Sequence, residues 1–164
     1  RILLEKKLEA FARTDSLTGL FNRNYLEFWK SHEITPDMYP LCIISADCDR
    51  LKVINDTYGH QMGDEYLRLA CSVFRVGLPE KAIKIRLGGD EFLFLIPNTS
   101  AEEGNMLIEK MAALAKEITI QQQHVSISFG CSQMNSITEN FDDCVKKSDE
   151  AMYKEKEIHH AQEK

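Results

Sequence analysis

The sequence predicts an α/β sandwich, an α+β arrangement in which a central mixed β-sheet is flanked by helices. The chain has 164 residues, which is the size of one domain with a substantial core. Short apolar runs typical of buried strands alternate along it with longer amphipathic stretches typical of helices. Two of the strand-like runs are joined at Gly88-Gly89 as a tight hairpin. A hairpin among strands that helices separate predicts a sheet that is mixed rather than purely parallel.

The composition argues against several classes of protein. Hydrophobic residues make up 43% of the chain and charged residues 28%, as in ordinary soluble domains. The net charge of −6 argues against a nucleic-acid surface, and no apolar run approaches the roughly 18–20 residues of a membrane span. The five cysteines are odd in number and lack C-x-x-C spacing, which favours a reducing compartment over a disulfide or zinc framework. We therefore expect a cytoplasmic domain with no direct membrane contact and no nucleic-acid partner.

The N-terminal residues predict an amphipathic helix. Its apolar positions, set among lysines and glutamates, are Ile2, Leu3, Leu4, Leu8 and Phe11. Such a helix either lies on the domain or ends an upstream helical connector, and the sequence alone decides for neither. We assign residues 1–13 to the end of a connector and residues 14–164 to the domain. Because the chain opens mid-pattern at Arg1 rather than at Met, we expect an upstream sensor or regulatory domain, and any membrane anchor, in a longer protein.

The next stretch predicts a capped helix and then a strand that ends in acids. Asn22 is expected to cap a helix that runs through Trp29. The apolar run Leu41–Ala46 is of the buried-strand type, and it delivers Asp47 at its carboxyl end, where α/β sheets commonly place ligands. Asp49 is expected to cap the following helix, whose first amides would form an anion site.

The remaining elements follow from capping residues and periodicity. A longer helix is expected to open at Gly63-Asp64 and to end near Gly77. Residues 98–100 suit the cap of another helix, and residues 125–130 alternate as a strand. The last helix is expected over about residues 140–159. Its inward side chains are predicted to be Phe141, Val145, Ala151 and Met152.

The central hairpin carries one acid more than a turn needs. Residues 82–87 alternate, residues 92–96 are wholly apolar, and the two glycines between them are expected at positive φ. Asp90 and Glu91 are adjacent, so in an extended chain they point to opposite faces, and their charges repel. We therefore expect a cation nearby.

Asp47, Asp90 and Glu91 could converge across the sheet. Magnesium prefers carboxylate oxygens and leaves coordination positions for phosphate. Two such ions can activate an attacking hydroxyl and neutralise a leaving phosphate in nucleotidyl transfer. Taken singly, each acid is more often a structural cap or turn residue.

Several motifs follow one another along almost the whole chain. They are Asp15-x-Leu17-Thr18-Gly19-Leu20-x-Asn22-Arg23, Asp47-x-Asp49-x-x-Lys52-x-Ile54-Asn55-Asp56-x-Tyr58-Gly59-His60-x-x-Gly63-Asp64, Arg86-x-Gly88-Gly89-Asp90-Glu91-Phe92, Ser126-Ile127-Ser128-x-Gly130 and Asp149-x-Ala151-Met152-Tyr153-x-x-Lys156. In this order and at this spacing they resemble the GGDEF-domain diguanylate cyclases.

The resemblance implies a palm-like fold akin to the catalytic domain of class III nucleotide cyclases. It also implies the reaction, in which two GTP molecules condense to cyclic di-GMP and release two pyrophosphates. A homodimer is implied as well: each subunit of an antiparallel pair presents one GTP, and each 3′-hydroxyl attacks the α-phosphate held by the other subunit.

Individual roles are implied by position in the motifs. Two Mg²⁺ or Mn²⁺ ions per GTP site would be held by Asp47, Asp90, the Cys48 carbonyl and Glu91. Glu91 would serve as a further metal ligand or as a catalytic acid, and either Asp90 or Glu91 would assist deprotonation of the 3′-hydroxyl. The implied substrate-binding residues are Asn55 and Asp64 for guanine, Lys52 and Lys156 for the triphosphate, and Gly88 and Gly89 for close backbone approach.

The chemistry of the base supports the roles of Asp64 and Asn55. A carboxylate accepts hydrogen bonds from guanine N1–H and the 2-amino group, and an amide can donate to O6. Adenine lacks both of those hydrogens and would leave the carboxylate unpaired, at a cost of about 1–3 kcal/mol. An adenylyl cyclase is therefore disfavoured. The alternative for Asp64 is a first-turn acid that interacts with the helix dipole, and for Lys52 and Lys156 a solvated helix lysine.

Three departures from the family pattern matter. His160 falls where the family has an arginine that helps to hold the triphosphate, and histidine lacks the bidentate fork of arginine. Pro79-Glu80-Lys81-Ala82 replaces the Arg-x-x-Asp of product-inhibited members, so we predict no tight binding of cyclic di-GMP there. Cys48 is a mild departure, because only its carbonyl is asked to bind metal. The first departure leaves an alternative open, a catalytically weak or inactive regulatory domain that binds GTP and signals to a neighbouring domain.

Overall fold

The computed structural model describes residues 1–162 without the side chains of residues 10 and 11, so the prediction for Phe11 lies outside the described part. The helices are α1 (Ile2–Arg13), α2 (Arg23–His32), α3 (Leu51–Tyr58), α4 (His60–Gly77), α5 (Ala101–Lys116) and α6 (Phe141–Gln162), with a short 3-10 helix at Pro36–Met38. The strands are β1 (Leu41–Cys48), β2 (Ile83–Gly88), β3 (Glu91–Ile96), β4 (Thr119–Ile120), β5 (Gln123–His124) and β6 (Ile127–Met134).

The main sheet has four strands in the order β2-β3-β1-β6, and each neighbouring pair is antiparallel. The expected α/β sandwich is present, but the prediction of a mixed sheet is wrong, because the outer strands β2 and β6 both dock antiparallel to the central pair. A parallel pairing occurs in the isolated bridge between Phe21 and Ile85, beside β2. In the register, Asp47 of β1 lies opposite Glu91 of β3 on one side and opposite Ser128 of β6 on the other. This register brings residues from three strands to the same end of the sheet.

Helices cover both faces of the sheet, which explains why the two central strands are apolar at nearly every position. On one face, Phe74 of α4 packs against Phe92 with ring centroids 5.0 Å apart. On the other face, Trp29 of α2 lies in the same buried cluster as Ile43. Because side chains alternate along a strand, Asp47 shares the face of Ile43 and points towards α6.

The hairpin between β2 and β3 turns one residue later than predicted. Gly88 pairs with Glu91, so the two-residue loop is Gly89-Asp90 rather than Gly88-Gly89. Both glycines do adopt positive φ, of 154° and 48°, as expected. The register shift between Arg86 and Gly88 is a bulge, and it accounts for the displaced turn.

The start of α3 differs from the prediction. Asp49 does not cap this helix: the residue before it is Arg50, in the left-handed region at φ 69°, and no side chain caps the helix end. The Asp49 carboxylate is instead held by side chains of other elements, described below. Asn22 caps α2 as expected, and its side chain accepts a hydrogen bond from Tyr25 N at 3.1 Å.

Other boundaries shift by a few residues. The helix expected from Gly63 begins at His60, and the last helix continues to Gln162 instead of ending near His159. The strand expected over residues 125–130 is β6, which begins at Ile127, and the β4–β5 hairpin was not predicted. In α6, Met152 is buried as expected, and the other buried positions are Cys144 and Ser148, whereas Phe141, Val145 and Ala151 are half-buried.

Helix α1 extends from the body of the chain and is largely exposed. Its leucines and isoleucine are between 59% and 70% exposed, and the guanidinium of Arg13 lies 4.1 Å from the ring centre of Phe28 in α2. The division of the chain at residue 13 stays a prediction. Within the described residues, none of the helices combines the length and the apolar character that a membrane crossing requires.

Candidate active site

Three carboxylates meet at the end of β1, as the sequence predicted. Asp47, Asp90 and Glu91 each offer an oxygen, and these oxygens all lie within 4.8 Å of one another. Asp47 and Glu91 are cross-strand partners, and the loop that carries Asp90 is tied to β1 because Cys48 N donates a hydrogen bond to Asp90 O at 2.9 Å. Strand pairing and one backbone hydrogen bond therefore fix the cluster.

The Asp47 carboxylate is the buried member of this cluster, with 3% of its side chain exposed. Its Oδ2 lies 3.0 Å from Lys156 Nζ of α6, and its buried Oδ1 has no hydrogen-bond partner among the described residues. Lys156 is thus a cation beside this cluster, paired with Asp47, and the cation expected at Asp90 and Glu91 stays a prediction. An unpaired buried carboxylate oxygen is costly unless a ligand completes it.

The pKa values of Asp47 and Lys156 are both raised. Burial, with a further contribution from the charge of Asp90, raises the pKa of Asp47 to about 7, although Lys156 opposes the change. Burial by itself would lower the pKa of Lys156, but the hydrogen bond and the charge of Asp47 outweigh it, so that this pKa is raised. The raised pKa of Asp47 is due mainly to burial, whereas the raised pKa of Lys156 is due to the nearby acids, whose charges one lysine does not balance. A divalent cation would do so, and the oxygen donors present suit magnesium or manganese.

Cys48 contributes to this region through its backbone. Its thiol lies in the core cluster on the face opposite Asp47, and burial raises the pKa of that thiol well above its usual value. The side chain is therefore turned away from the acids. Cys48 as a carbonyl ligand stays a prediction.

The predicted guanine-binding residues lie at the elbow between α3 and α4. Asn55 O accepts from Gly59 N at 2.9 Å, and the Asn55 side chain rests on Gly63 so closely that a Cβ added there would lie 1.7 Å from Asn55 Oδ1. Asp64 follows Gly63 directly and is half-buried. Lys52, in contrast, is exposed in the first turn of α3. The structure thus brings Asn55 next to the segment that carries Asp64, and the roles themselves stay predictions.

A small pocket of about 60 Å³ lies beside the acid cluster, and it is lined by Asp49, Arg50, Lys156, His159 and His160. It contains one of the two predicted triphosphate lysines and the histidine that replaces the family arginine. A larger cleft of about 680 Å³ lies on the other side of His159, between α5 and α6, and none of the three clustered acids lines it. The acid cluster is the stronger candidate site, because its carboxylate oxygens converge and the pKa of Asp47 is raised.

Arg86 holds the glycine loop, a role that sequence reasoning missed. Its Nη2 donates to Gly89 O at 2.8 Å, and its Nη1 lies 3.1 Å from Asp15 Oδ2. Burial tends to raise the pKa of Asp15, but hydrogen bonds from Thr18 and Arg86 outweigh it and lower that pKa. Both Asp15 and Arg86 belong to the motifs quoted above, which is the signal that could have paired them.

Asp49 is a second buried acid whose role the sequence analysis assigned wrongly. Its oxygens accept from Ser126 Oγ at 2.7 Å and from Ser128 Oγ at 2.8 Å, and Oδ2 lies 2.9 Å from His159 Nδ1. Its backbone oxygen accepts from the buried Tyr66 hydroxyl at 2.7 Å. Asp49 therefore joins β1, β6, α4 and α6 instead of capping α3. We call Asp49, Ser126, Ser128 and His159 the Asp49 cluster.

Comparison with known proteins gives a consistent result. The sequence model of the family described as "Diguanylate cyclase, GGDEF domain" matches residues 12–162. A protein of Vibrio cholerae named diguanylate cyclase is 32% identical over 161 residues, which cover 93% of this chain and 49% of that protein. The cyclic di-GMP phosphodiesterase PdeR of Escherichia coli is 31% identical over 157 residues, which cover 93% of this chain and 24% of PdeR.

The fold also matches a solved structure, the coiled coil and GGDEF domain of DgcB from Caulobacter crescentus in complex with c-di-GMP. The TM-score is 0.82 at 23% identity, over 94% of this chain and 85% of that one. At that identity the match supports the fold alone. The chain spans about half or less of the curated relatives named above.

Proposed function

This chain belongs to the diguanylate cyclase GGDEF domain family, and we propose that it condenses two molecules of GTP into cyclic di-GMP with release of pyrophosphate. The convergence of Asp47, Asp90 and Glu91 beside Gly88 and the Gly89-Asp90 loop carries this proposal. A Cβ added at Gly88 or Gly89 would meet no atom within 4 Å, so the loop borders open space in which a nucleotide could lie against the backbone.

The acid cluster would hold the metal ions, two Mg²⁺ or Mn²⁺ per GTP site, with the Cys48 carbonyl as a further ligand. When bound, such ions supply Lewis-acid activation of a hydroxyl and neutralise charge on the leaving phosphate. The unpaired Oδ1 of Asp47 supports this assignment, since it is buried and lacks any other partner among the described residues. Lys156 offsets part of the negative charge and lies where a triphosphate would approach.

The elbow of α3 and α4 would select the base. Asp64 accepts from guanine N1–H and the 2-amino group, Asn55 donates to O6, and Lys52 joins Lys156 at the phosphates. The contact between Asn55 and Gly63 supports this role, because it fixes the amide before a nucleotide arrives.

The reaction needs two copies of the site. Residues 1–162 contain one such cluster of acids, and cyclic di-GMP is made from two GTP molecules. In a homodimer each 3′-oxygen would form a bond to the α-phosphorus held by the other subunit, and the bond from that phosphorus to the pyrophosphate oxygen would break. Asp90 or Glu91 would take the hydroxyl proton, because both lie in the cluster at the loop. An upstream sensor or regulatory domain would bring the two copies together.

A second function is a GTP-binding regulatory domain without turnover. His160 favours it, because this histidine lines the small pocket in place of an arginine. The family also includes proteins named for other activities, such as PdeR. This alternative predicts GTP binding without pyrophosphate release, even in a dimer.

The test uses the chain fused to a dimerising coiled coil and incubated with GTP and Mg²⁺. We expect pyrophosphate and cyclic di-GMP, and we expect Asp90→Asn and Glu91→Gln to abolish both while the melting temperature is retained. Glu109→Gln is the matched control, because Glu109 is an exposed acid of α5 away from the cluster. Intact GTP with the unsubstituted chain, or full turnover in the Asp90 and Glu91 variants, would contradict the proposal.

A further inference from the structure

We propose that His159 is a positioning residue: it holds the C-terminal turns of α6 against the end of β1 and so keeps Lys156 beside Asp47. This rests on the proposed function in one respect, since Lys156 is taken to bind the triphosphate of GTP. Histidine at this position is one of the two residues that replace the glycine and arginine of the family's usual ending.

The anchor point for His159 is the carboxylate of Asp49, a residue whose side chain is 6% exposed. Two serines next to and within β6 donate to it, and the Asp49 amide donates to Ser126 O at 2.9 Å. A buried acid with this many partners has a fixed position. It therefore offers a rigid point to which a helix can be tied.

His159 completes the set of hydrogen bonds at this acid. Its Nδ1 lies 2.9 Å from Asp49 Oδ2 and 2.9 Å from Ser128 Oγ. A carboxylate can only accept, so Nδ1 carries the hydrogen in this contact. Glu155, one turn earlier, accepts from Phe129 N at 3.1 Å and is a second attachment of α6 to β6.

His159 lies in the last turns of α6, close to Lys156 in the helix. Lys156 is three residues earlier, so the two side chains lie on the same face of the helix. Beyond it, residues 160–162 are exposed, and Ile158 is 58% exposed. The last turns of a helix open more easily when they lose tertiary contacts, so loss of the hydrogen bonds of His159 would loosen the turn that carries Lys156.

The imidazole of His159 also separates two cavities. His159 and Arg50 line both the 60 Å³ pocket beside Lys156 and the 680 Å³ cleft on the other side. Removal of the ring would open the small pocket into the large cleft and admit water to the Lys156–Asp47 pair. The loosened helix end and the entry of water would both weaken GTP binding through Lys156. Neither effect requires contact between His159 and the reacting atoms.

The test compares two substitutions of His159 by amide side chains of different length. In His159→Asn the amide nitrogen can take the place of Nδ1, whereas in His159→Gln it lies one carbon further out. Calorimetry would measure the affinity of the dimerised chain for a GTP analogue with a non-hydrolysable α–β bridge. We expect His159→Ala and His159→Gln to weaken binding about tenfold, or about 1.4 kcal/mol, and His159→Asn to stay within about threefold. In turnover assays the loss should appear in KM and leave kcat nearly unchanged.

Ile158→Ala is the control, because Ile158 is an exposed neighbour in the same turn. This variant should bind the GTP analogue as tightly as the unsubstituted chain. Wild-type affinity in His159→Ala, or equal losses in the asparagine and glutamine variants, would overturn the positioning role. If the unsubstituted chain does not bind the analogue, the proposed function fails, and hydrogen exchange then decides the inference alone. The amides of residues 156–162 should exchange faster in His159→Ala than in the unsubstituted chain or in His159→Asn, and equal rates would refute it.

Discussion

Substitution of Gly63 tests whether the elbow between α3 and α4 recognises the guanine base. In Gly63→Ala the new Cβ would lie 1.7 Å from Asn55 Oδ1 and 2.8 Å from Asn55 Cγ, distances that no real contact tolerates. The Asn55 amide would have to turn away, and the hydrogen bond that we propose it donates to guanine would be lost. A buried polar group left without its partner costs about 1–3 kcal/mol, so we expect GTP to bind about 5- to 150-fold more weakly. Binding of ATP, which lacks the complementary groups, should change little.

Two comparisons separate this effect from simple overpacking. Gly77→Ala lies in the same helix and gains the same helix propensity, and its Cβ would approach Met111 Cγ to 2.4 Å, far from the elbow. It should alter stability but leave GTP affinity unchanged. If Gly63→Ala acts through Asn55, its effect should nearly vanish in an Asn55→Ala background. Additive losses in the double variant, or wild-type discrimination between GTP and ATP in Gly63→Ala, would refute the reasoning.

Three further predictions concern the sheet, the loop and the metal. Gly130→Ala should lower the melting temperature by roughly 5–10 °C in calorimetry, because its Cβ would lie 2.2 Å from a backbone nitrogen of α6; an unchanged melting temperature would contradict the close packing. Arg86→Ala should lower turnover about tenfold or more, since it frees the glycine loop from a charged hydrogen bond, and should also lower the melting temperature, because Asp15 loses its ion-pair partner; full turnover would contradict the role at the loop. Mg²⁺ at about 100 times its Kd should stabilise the chain by about 2.7 kcal/mol in thermal unfolding, and Asp47→Asn should abolish this shift, so an equal shift in the variant would place the metal elsewhere.

The fold and the acid cluster were predictable because local patterns specify them. Wholly apolar runs fit strands that helices cover on both faces, and the turn at the glycines brings Asp90 and Glu91 to the end of β1. The bulge at Arg86, which moves the turn by one residue, has no local signature beyond the glycines themselves. The choice between a mixed and an antiparallel sheet depends on where the outer strands dock, and periodicity does not contain that information.

The Asp49 cluster was not predictable for a related reason. An aspartate that follows a strand and precedes a helix has the pattern of a helix cap. Its true partners Ser126 and Ser128 lie 77 and 79 residues later in the chain, and His159 lies 110 residues later. These contacts depend on the β1–β6 register and on the path of α6. The expected absence of tight cyclic di-GMP binding at Pro79–Ala82 stays a prediction.

The most direct test of the central claim is product analysis with an equimolar mixture of GTP and ATP, on the chain fused to a dimerising coiled coil, in the presence of Mg²⁺. The acid cluster and the proposed guanine-binding role of the α3–α4 elbow together predict cyclic di-GMP as the sole cyclic product, one pyrophosphate for each GTP consumed, and unchanged ATP. Intact GTP, or consumption of ATP that exceeds that of GTP, would contradict the assignment of this site as a guanylate-specific nucleotidyl transferase.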